Sequence, residues 1–348
     1  MTIMLVSGLP LEKPSSFSRQ LILLEAALGK EGVSVNLTGP SLSDFDPALS
    51  TVDAALLLGY VDQFQLLEQR ASGSFPLFLW AQFSRSPAKN SLSSFLPVPL
   101  TKQTVHYVQE SGHEHIGPVI PHGIDTSKYR PLSRSERSAE RAKWNLGDGF
   151  VIGTVGAHTR RKRLDLIVQT LSHLRRAGME AELLIKTDRV RSRDGEDLEE
   201  IARNHDVLSH TRFITGELGE QVLCSIYGCM DVYLNLSEWE GFCIPIVEAL
   251  ACGIPVCCPP LQGPGEIVPY DELFIHDYRS FDDNGSRLCE ADPARTARVI
   301  MHAAESSDMI EYMRSRGIDE AHTRYDIREV ARQWIELFNN KTHYFPHR

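Results

Sequence analysis

Residues 240–256 read EGFCIPIVEALACGIPV, a loop that turns into a helix and then enters a strand. Pro245 suits the first helical turn, where its missing N–H costs nothing and its fixed φ is already helical. Gly253 suits the position just past the helix end, and Pro255 follows soon after. The amides of Phe242, Cys243 and Ile244 then lie at a helix N-terminus. Such an end binds anions, because its N–H groups lack helical partners and the dipole is positive there. Glu240 precedes the turn, and Glu248 falls about one turn inside the helix. An anion cradle flanked by two carboxylates suits a ligand carrying both phosphate and hydroxyl groups, as a nucleotide sugar does.

Outward from this stretch, the second half of the chain alternates strand and helix signals. Phe150–Val155 is an apolar β-rich run ending at Gly156. Leu164–Arg176 has helical periodicity through Leu164, Ile167, Val168, Leu171 and Leu174, and stops at Gly178. Ala181–Ile185, Arg212–Thr215, Val232–Leu236 and Ile254–Cys257 read as strands, Leu198–Asn204 and Gln221–Met230 as helices. This alternation predicts βαβ units and a parallel sheet, with ligands at the carboxyl ends of the strands. Gly156, Lys162, Gly216 and Glu240 all follow predicted strands and so converge on one cleft.

The first half repeats the pattern less distinctly. Ile3–Ser7, Val33–Leu37, Ala54–Leu58 and Leu77–Trp80 are strand candidates, Phe17–Leu28 is a helix, and Val119–Ile120 reads as a short final strand. The polar stretch Pro121–Asn145 reads as a linker with an irregular or helical lead-in to a second domain.

Composition narrows the class. The chain has 348 residues, 42% hydrophobic and 24% charged, as in a soluble globular protein of two ordinary domains. No apolar run approaches the ~18 residues of a membrane span. The opening MTIMLVSGLP lacks a basic flank and a cleavage site, so it reads as a buried strand rather than a leader. Seven cysteines without zinc spacing predict reduced thiols and a cytoplasmic protein. The net charge of −10 argues against nucleic-acid partners. One basic cluster stands out, Arg160-Arg161-Lys162-Arg163, at a helix start that disfavours cations unless an anion such as a diphosphate binds there.

EGFCIPIVEALACGIPV resembles the Glu-x7-Glu signature of the family-4 (group 1) retaining glycosyltransferases, usually EGFGLPxxEAMACGxPV. PVIPHGIDTSKYRPL, residues 118–132, resembles the interdomain motif VIPNGVDxxxFxP, with His122 in place of Asn. The last helical segment, Asp326–Phe338, resembles the family helix that crosses back to the first domain. The resemblance is dense in the second half and thin over residues 1–110. It implies an α/β GT-B fold, two Rossmann-like domains with parallel sheets facing across a cleft. The expected division is 1–127, joined by 326–348, as a shortened acceptor-side domain, and 128–325 as the nucleotide-sugar domain.

The activity implied is retaining transfer of a hexosyl group from a UDP- or GDP-linked sugar to an unidentified acceptor, in glycan, glycolipid or small-glycoside biosynthesis. No metal or other cofactor is expected. Lys162 matches the lysine of the family pattern GRLxxxKG. The family arginine falls at Ala157, and Arg160, Arg161 and Arg163 are left as candidates to replace it. Glu248 is expected on the ribose hydroxyls and Glu240 near the donor sugar. The amides of Phe242, Cys243 and Ile244 are expected on the sugar and β-phosphate, with Gly156 beside them. Thr215 and Gly216 would flank the base, with Glu217 as a weaker contact, and Gly263–Glu266 resembles a loop that closes over the sugar. Catalysis is assigned to Glu240, Lys162 and Arg161. On the acceptor side the family histidine is absent after Leu77–Trp80, and the usual Gly-Gly loop is replaced by Gly8-Leu9-Pro10 and Pro14-Ser15-Ser16. Ser16, Gln82 and Arg85 are the polar candidates there. Two other readings stay open, a GT-B sugar-nucleotide epimerase and a nucleotide-sugar-binding protein without catalysis.

Overall fold

The structure, a computed structural model, describes residues 1–12, 15–39, 51–59, 64, 75–83, 86–88, 92–283 and 286–345. It divides into two compact units: Met1–Asp125 with Arg324–Arg348, and Thr126–Thr323. Both are α/β units built on a parallel sheet. Among the described residues no helix is long and apolar enough to cross a membrane.

The first unit holds β1 (Thr2–Ser7), α1 (Ser16–Lys30), β2 (Ser34–Thr38), β3 (Ala54–Leu58), β4 (Leu77–Ala81), β5 (Leu96–Pro99) and α2 (Lys102–Glu110). The sheet order is β2-β1-β3-β4-β5. β3 and β4 are buried along their whole length, which is why they read as unbroken apolar runs rather than alternating ones. Helix α1 starts with a capping box in which Ser15 Oγ accepts from Ser18 N at 3.0 Å and Ser18 Oγ accepts from Ser15 N at 3.1 Å.

The last strand of this sheet corrects the sequence reading. Val119–Ile120 is not a strand; β5 is, and its sequence LPVP hides it. Pro97 and Pro99 cannot donate to a ladder, which confines such a strand to a sheet edge, where β5 lies. The segment around Val119 instead donates to β5 carbonyls, Gly117 N to Pro97 O at 2.8 Å and Ile120 N to Pro99 O at 2.9 Å.

The second unit runs α3 (Arg134–Lys143), β6 (Phe150–Val155), α4 (Leu164–Arg176), β7 (Ala181–Lys186), α5 (Leu198–Asn204), β8 (Thr211–Ile214), α6 (Glu220–Gly228), β9 (Val232–Leu234), α7 (Ile244–Ala251), β10 (Val256–Cys257) and α8 (Gln262–Ile267). An antiparallel hairpin, β11 (Tyr278–Asp283) and β12 (Ser286–Ala291), then precedes α9 (Pro293–Ala304) and α10 (Ser307–Arg324). The sheet order is β10-β9-β6-β7-β8. Asp231 fastens α3 to this sheet: its carboxylate accepts from Arg137 at 2.6 Å, from buried Arg141 at 2.7 Å and from Val151 N at 2.8 Å. All seven cysteines are buried free thiols.

The closing segment, α11 (Ile327–Asn339) and α12 (Lys341–Tyr344), packs within the first unit. Asp326 caps α11, accepting from Arg328 N at 2.8 Å. The Trp334 ring lies 5.3 Å from Trp80, and Phe338 lies 5.3 Å from Phe78. Gly123 is required at this junction, because a Cβ there would come within 2.9 Å of the Ile327 Cα.

Candidate functional site

In the second unit the chain runs from β6 outward through β7 and β8, then returns to the other side of β6 with β9. The gap between the carboxyl ends of β6 and β9 is therefore the switch point, where α/β sheets of this kind bind ligands. Two loops meet there. One follows β6, from Gly156 to Arg163; the other follows β9, from Asn235 to Cys243. Their backbones touch, with Glu238 N donating to Arg161 O at 2.8 Å.

Glu240 is the centre of this meeting. It is 7% exposed. Lys162 Nζ lies 2.5 Å from its Oε1 and Arg161 Nη1 lies 2.9 Å from its Oε2. Burial on its own would push the Glu240 carboxyl up; the charges of Lys162 and Arg161, with hydrogen bonds from Lys162 and Ser237, outweigh it and hold the group at about 2. Arg161 is fixed further by donating to Trp239 O at 2.6 Å and by lying 4.6 Å over the Trp239 ring.

The geometry separates the four basic residues. Arg160–Lys162 form a short 3-10 turn, and Arg163 follows in the left-handed region at φ 47°. That turn sends Arg163 away from its neighbours. Its guanidinium donates to Asp165 at 3.0 and 3.1 Å and to Glu290 of β12 at 2.6 Å, and lies 3.6 Å from Glu238. Arg160 is exposed. Arg161 and Lys162 are thus the two that face Glu240. Gly156 lies beneath them, its missing Cβ leaving a space 3.6 Å from the Lys162 Cε.

Cys243 caps α7 at φ 77°, a left-handed position for a residue with a Cβ. Its buried sulfur accepts from Asn235 Nδ2 at 3.0 Å, and burial, then the Glu240 charge, pushes the thiol up to about 12. Phe242 is buried and Ile244 opens the helix. The segment Gly263–Glu266 lies within α8, which packs against this loop: Gln262 Oε1 accepts from Glu240 N at 2.8 Å, and a Cβ on Gly263 would come within 2.8 Å of the Gly241 carbonyl and the Phe242 Cα.

Glu248 is held by side chains that the sequence reading passed over. Tyr227 of α6 donates to Glu248 Oε2 at 2.6 Å, and the Tyr129 hydroxyl also hydrogen-bonds to this carboxylate. Both tyrosines are buried. From sequence they look like core aromatics; the one available signal is that Tyr129 occupies the aromatic position of the interdomain motif.

At the ends of β7 and β8, Thr215, Gly216 and Glu217 are exposed, with Gly216 at φ 86°. Lys186, which the sequence reading also missed, donates to Gly216 O at 2.8 Å. In the first unit, Ser16 is an exposed first-turn residue of α1, whose cap is Ser15. Gln82 Oε1 lies 3.4 Å from His122 Nε2, and burial pushes that imidazole down to about 3. Arg85 lies outside the described residues.

Comparison with known proteins bears on the family and the fold. Residues 136–291 match the family described as Glycosyl transferases group 1. A GDP-mannose-dependent alpha-mannosyltransferase of Mycobacterium tuberculosis is 29% identical over 146 residues, covering 42% of this chain and 34% of that protein. A D-inositol 3-phosphate glycosyltransferase of Corynebacterium kroppenstedtii is 26% identical over 249 residues, 70% of this chain and 51% of that protein. The match thus spans about a third to a half of these relatives' length. Among solved structures, sucrose-phosphate synthase from Thermosynechococcus elongatus superposes with a TM-score of 0.79 at 14% identity, covering 99% of both chains. Anabaena HepE in complex with UDP-glucose superposes with a TM-score of 0.74 at 17% identity, over 98% of this chain and 100% of that one.

Proposed function

We propose that this chain, a member of the group 1 glycosyl transferase family with the GT-B fold, moves a hexosyl group from a UDP- or GDP-linked sugar to an acceptor hydroxyl with retention of configuration. The observation that carries the reading is the triad of Lys162, Arg161 and Glu240 at the switch point, beside the N-terminus of α7. Two cations and a helix N-terminus supply the positive field that a leaving diphosphate needs. This supports a transferase over a binding protein without catalysis, because Arg161 is already placed beside Lys162 although Ala157 stands at the family arginine position.

In this reading the acceptor oxygen attacks the anomeric carbon on the face from which the diphosphate leaves. The bond from that carbon to the β-phosphate oxygen breaks, and the acceptor proton passes to the departing phosphate. Lys162 and Arg161 stabilise the negative charge that grows there, with no metal required. Glu240 orients the sugar and balances the positive charge that develops at the anomeric carbon. Glu248 accepts from the two ribose hydroxyls, a role suited to a group with two acceptor oxygens and no donor. A relative that is a GDP-mannose-dependent mannosyltransferase and a structural neighbour in complex with UDP-glucose support a hexose on either base. The buried free thiols support a cytoplasmic setting.

The test is a panel of UDP- and GDP-hexoses, each with a mixture of sugar and lipid-glycan acceptors, read by NMR for donor consumption and product anomer, with and without EDTA. One donor should be consumed equally in both conditions and yield an α-linked product. A β-linked product overturns retention, loss of activity in EDTA overturns the metal-free reading, and conversion of a UDP-sugar to its epimer without acceptor favours an epimerase instead.

A further inference from the structure

We infer that Tyr129 and Tyr227 are positioning residues for the donor: they hold the Glu248 carboxylate in the one orientation that meets the ribose diol. The inference rests on the ribose role proposed for Glu248.

The hydroxyls of both tyrosines converge on one side chain. Tyr227 donates to Glu248 Oε2 at 2.6 Å, and Tyr129 forms a second hydrogen bond to the same carboxylate. The tyrosines come from different elements, Tyr227 from α6 and Tyr129 from the segment before α3, so they brace Glu248 from separate anchor points. Their rings pack edge-on with centroids 6.2 Å apart, and both are buried. A glutamate near a helix start ordinarily samples several rotamers; here two donors select among them before any ligand arrives. Pre-ordering of that kind raises affinity by removing an entropy cost from the binding step.

The chemistry of the group is consistent with a ligand. A carboxylate has about four lone-pair sites and no donor, so one such group can be shared between phenols and a diol. The phenols act as donors toward Glu248, since burial and then the Glu248 charge push the pKa of both hydroxyls well above the ordinary tyrosine value and keep them protonated. What the braced carboxylate offers outward is acceptor capacity alone, which matches a vicinal diol and rejects a sugar lacking its hydroxyls.

The same stack links this contact to the phosphate loop. The Tyr227 ring lies 5.9 Å from that of Tyr233 on β9, and Tyr233 Oη donates to Val155 O at 3.2 Å. Val155 is the last residue of β6, immediately before Gly156 and the turn that carries Lys162. One buried column of tyrosines therefore fixes the spacing between the ribose glutamate and the diphosphate cations.

The experiment is calorimetric titration of GDP and UDP, and of their 2′,3′-dideoxy forms, into the parent and into Tyr129→Phe, Tyr227→Phe and Glu248→Ala. Each phenylalanine variant should bind the ribonucleotide about three- to tenfold more weakly, less than the more than tenfold of a hydrogen bond lost to a charged group because the Glu248 carboxylate itself remains, and the dideoxy form as the parent does. Equal weakening for both forms makes the tyrosines mere packing, and no weakening for either makes the hydrogen bonds irrelevant; each result overturns the inference. The underlying role of Glu248 is read separately. If the parent binds neither nucleotide, does not distinguish ribose from dideoxyribose, or keeps that distinction in Glu248→Ala, the ribose assignment itself fails.

Discussion

Replacing Glu240 by glutamine removes a charge at nearly constant shape, and the structure sets the size of the effect. In the folded chain the Glu240 carboxyl titrates at about 2 instead of the ordinary 4.5. A difference of roughly 2.5 units, at about 1.4 kcal/mol each, corresponds to roughly 3 kcal/mol of folding stability. Because the folded value lies below the unfolded one, this stability is complete above about 4.5 and is lost as pH falls through about 2. Glu240→Gln should therefore lower the unfolding free energy of the second unit by roughly 3 kcal/mol at neutral pH. It should also remove that share of the parent's acid sensitivity. The variant leaves Lys162 and Arg161 without their carboxylate, so saturating GDP or UDP should restore more stability to it than to the parent, while turnover falls far more than nucleotide binding. The assay is urea unfolding followed by tryptophan fluorescence, in which Trp239, packed under Arg161, is a local reporter, run with and without nucleotide beside single-turnover kinetics. A variant within about 0.5 kcal/mol of the parent, with the same acid midpoint, would refute the charge balance drawn here.

Asp231→Ala leaves Arg137, Arg141 and Val151 N without their shared acceptor, and thermal unfolding should show a loss of about 3–5 kcal/mol. Gly263→Ala places a methyl group within 2.8 Å of backbone atoms of Gly241 and Phe242; turnover should fall at least about tenfold as the Glu240 loop is pushed aside, measured with the donor found in the panel. Cys243→Gly removes a Cβ from a left-handed position, φ 77°, worth about 1–2 kcal/mol, but also removes the sulfur that accepts from Asn235; chemical denaturation should place it within about 1 kcal/mol of the parent. In the native parent, Cys243 should resist thiol reagents at neutral pH, since the thiol is held at about 12.

The features that were legible in the sequence are those set by local chemistry. Phe150–Val155 and Leu164–Arg176 match their observed strand and helix end for end, because an apolar β-rich run and a helical period each carry their own signal. The helix after Glu240 was readable from Pro245 and Gly253 for the same reason. β5 was not, since its prolines argue for a loop until the strand is known to lie at an edge. The basic cluster was visible, but adjacent basic residues look alike in a string. Only the left-handed turn at Arg163 shows that Arg161 and Lys162 face Glu240 while Arg163 joins Glu290, 127 residues away. Tyr129 and Tyr227 were invisible as a pair because their shared partner is reached through space, from separate elements.

The first unit is assembled from the two ends of the chain, and this has a consequence for synthesis. Trp80 and Phe78 are covered by Trp334 and Phe338, yet on the ribosome those partners emerge only after the whole second unit has been made. At about 5–20 residues per second, the roughly two hundred residues between the two segments take on the order of 10–40 s to translate. Throughout that interval the nascent first sheet presents two large aromatic rings without their cover. The second unit is made in one continuous stretch and can close as soon as it leaves the exit tunnel, so of the two units the one that is started earlier is completed later.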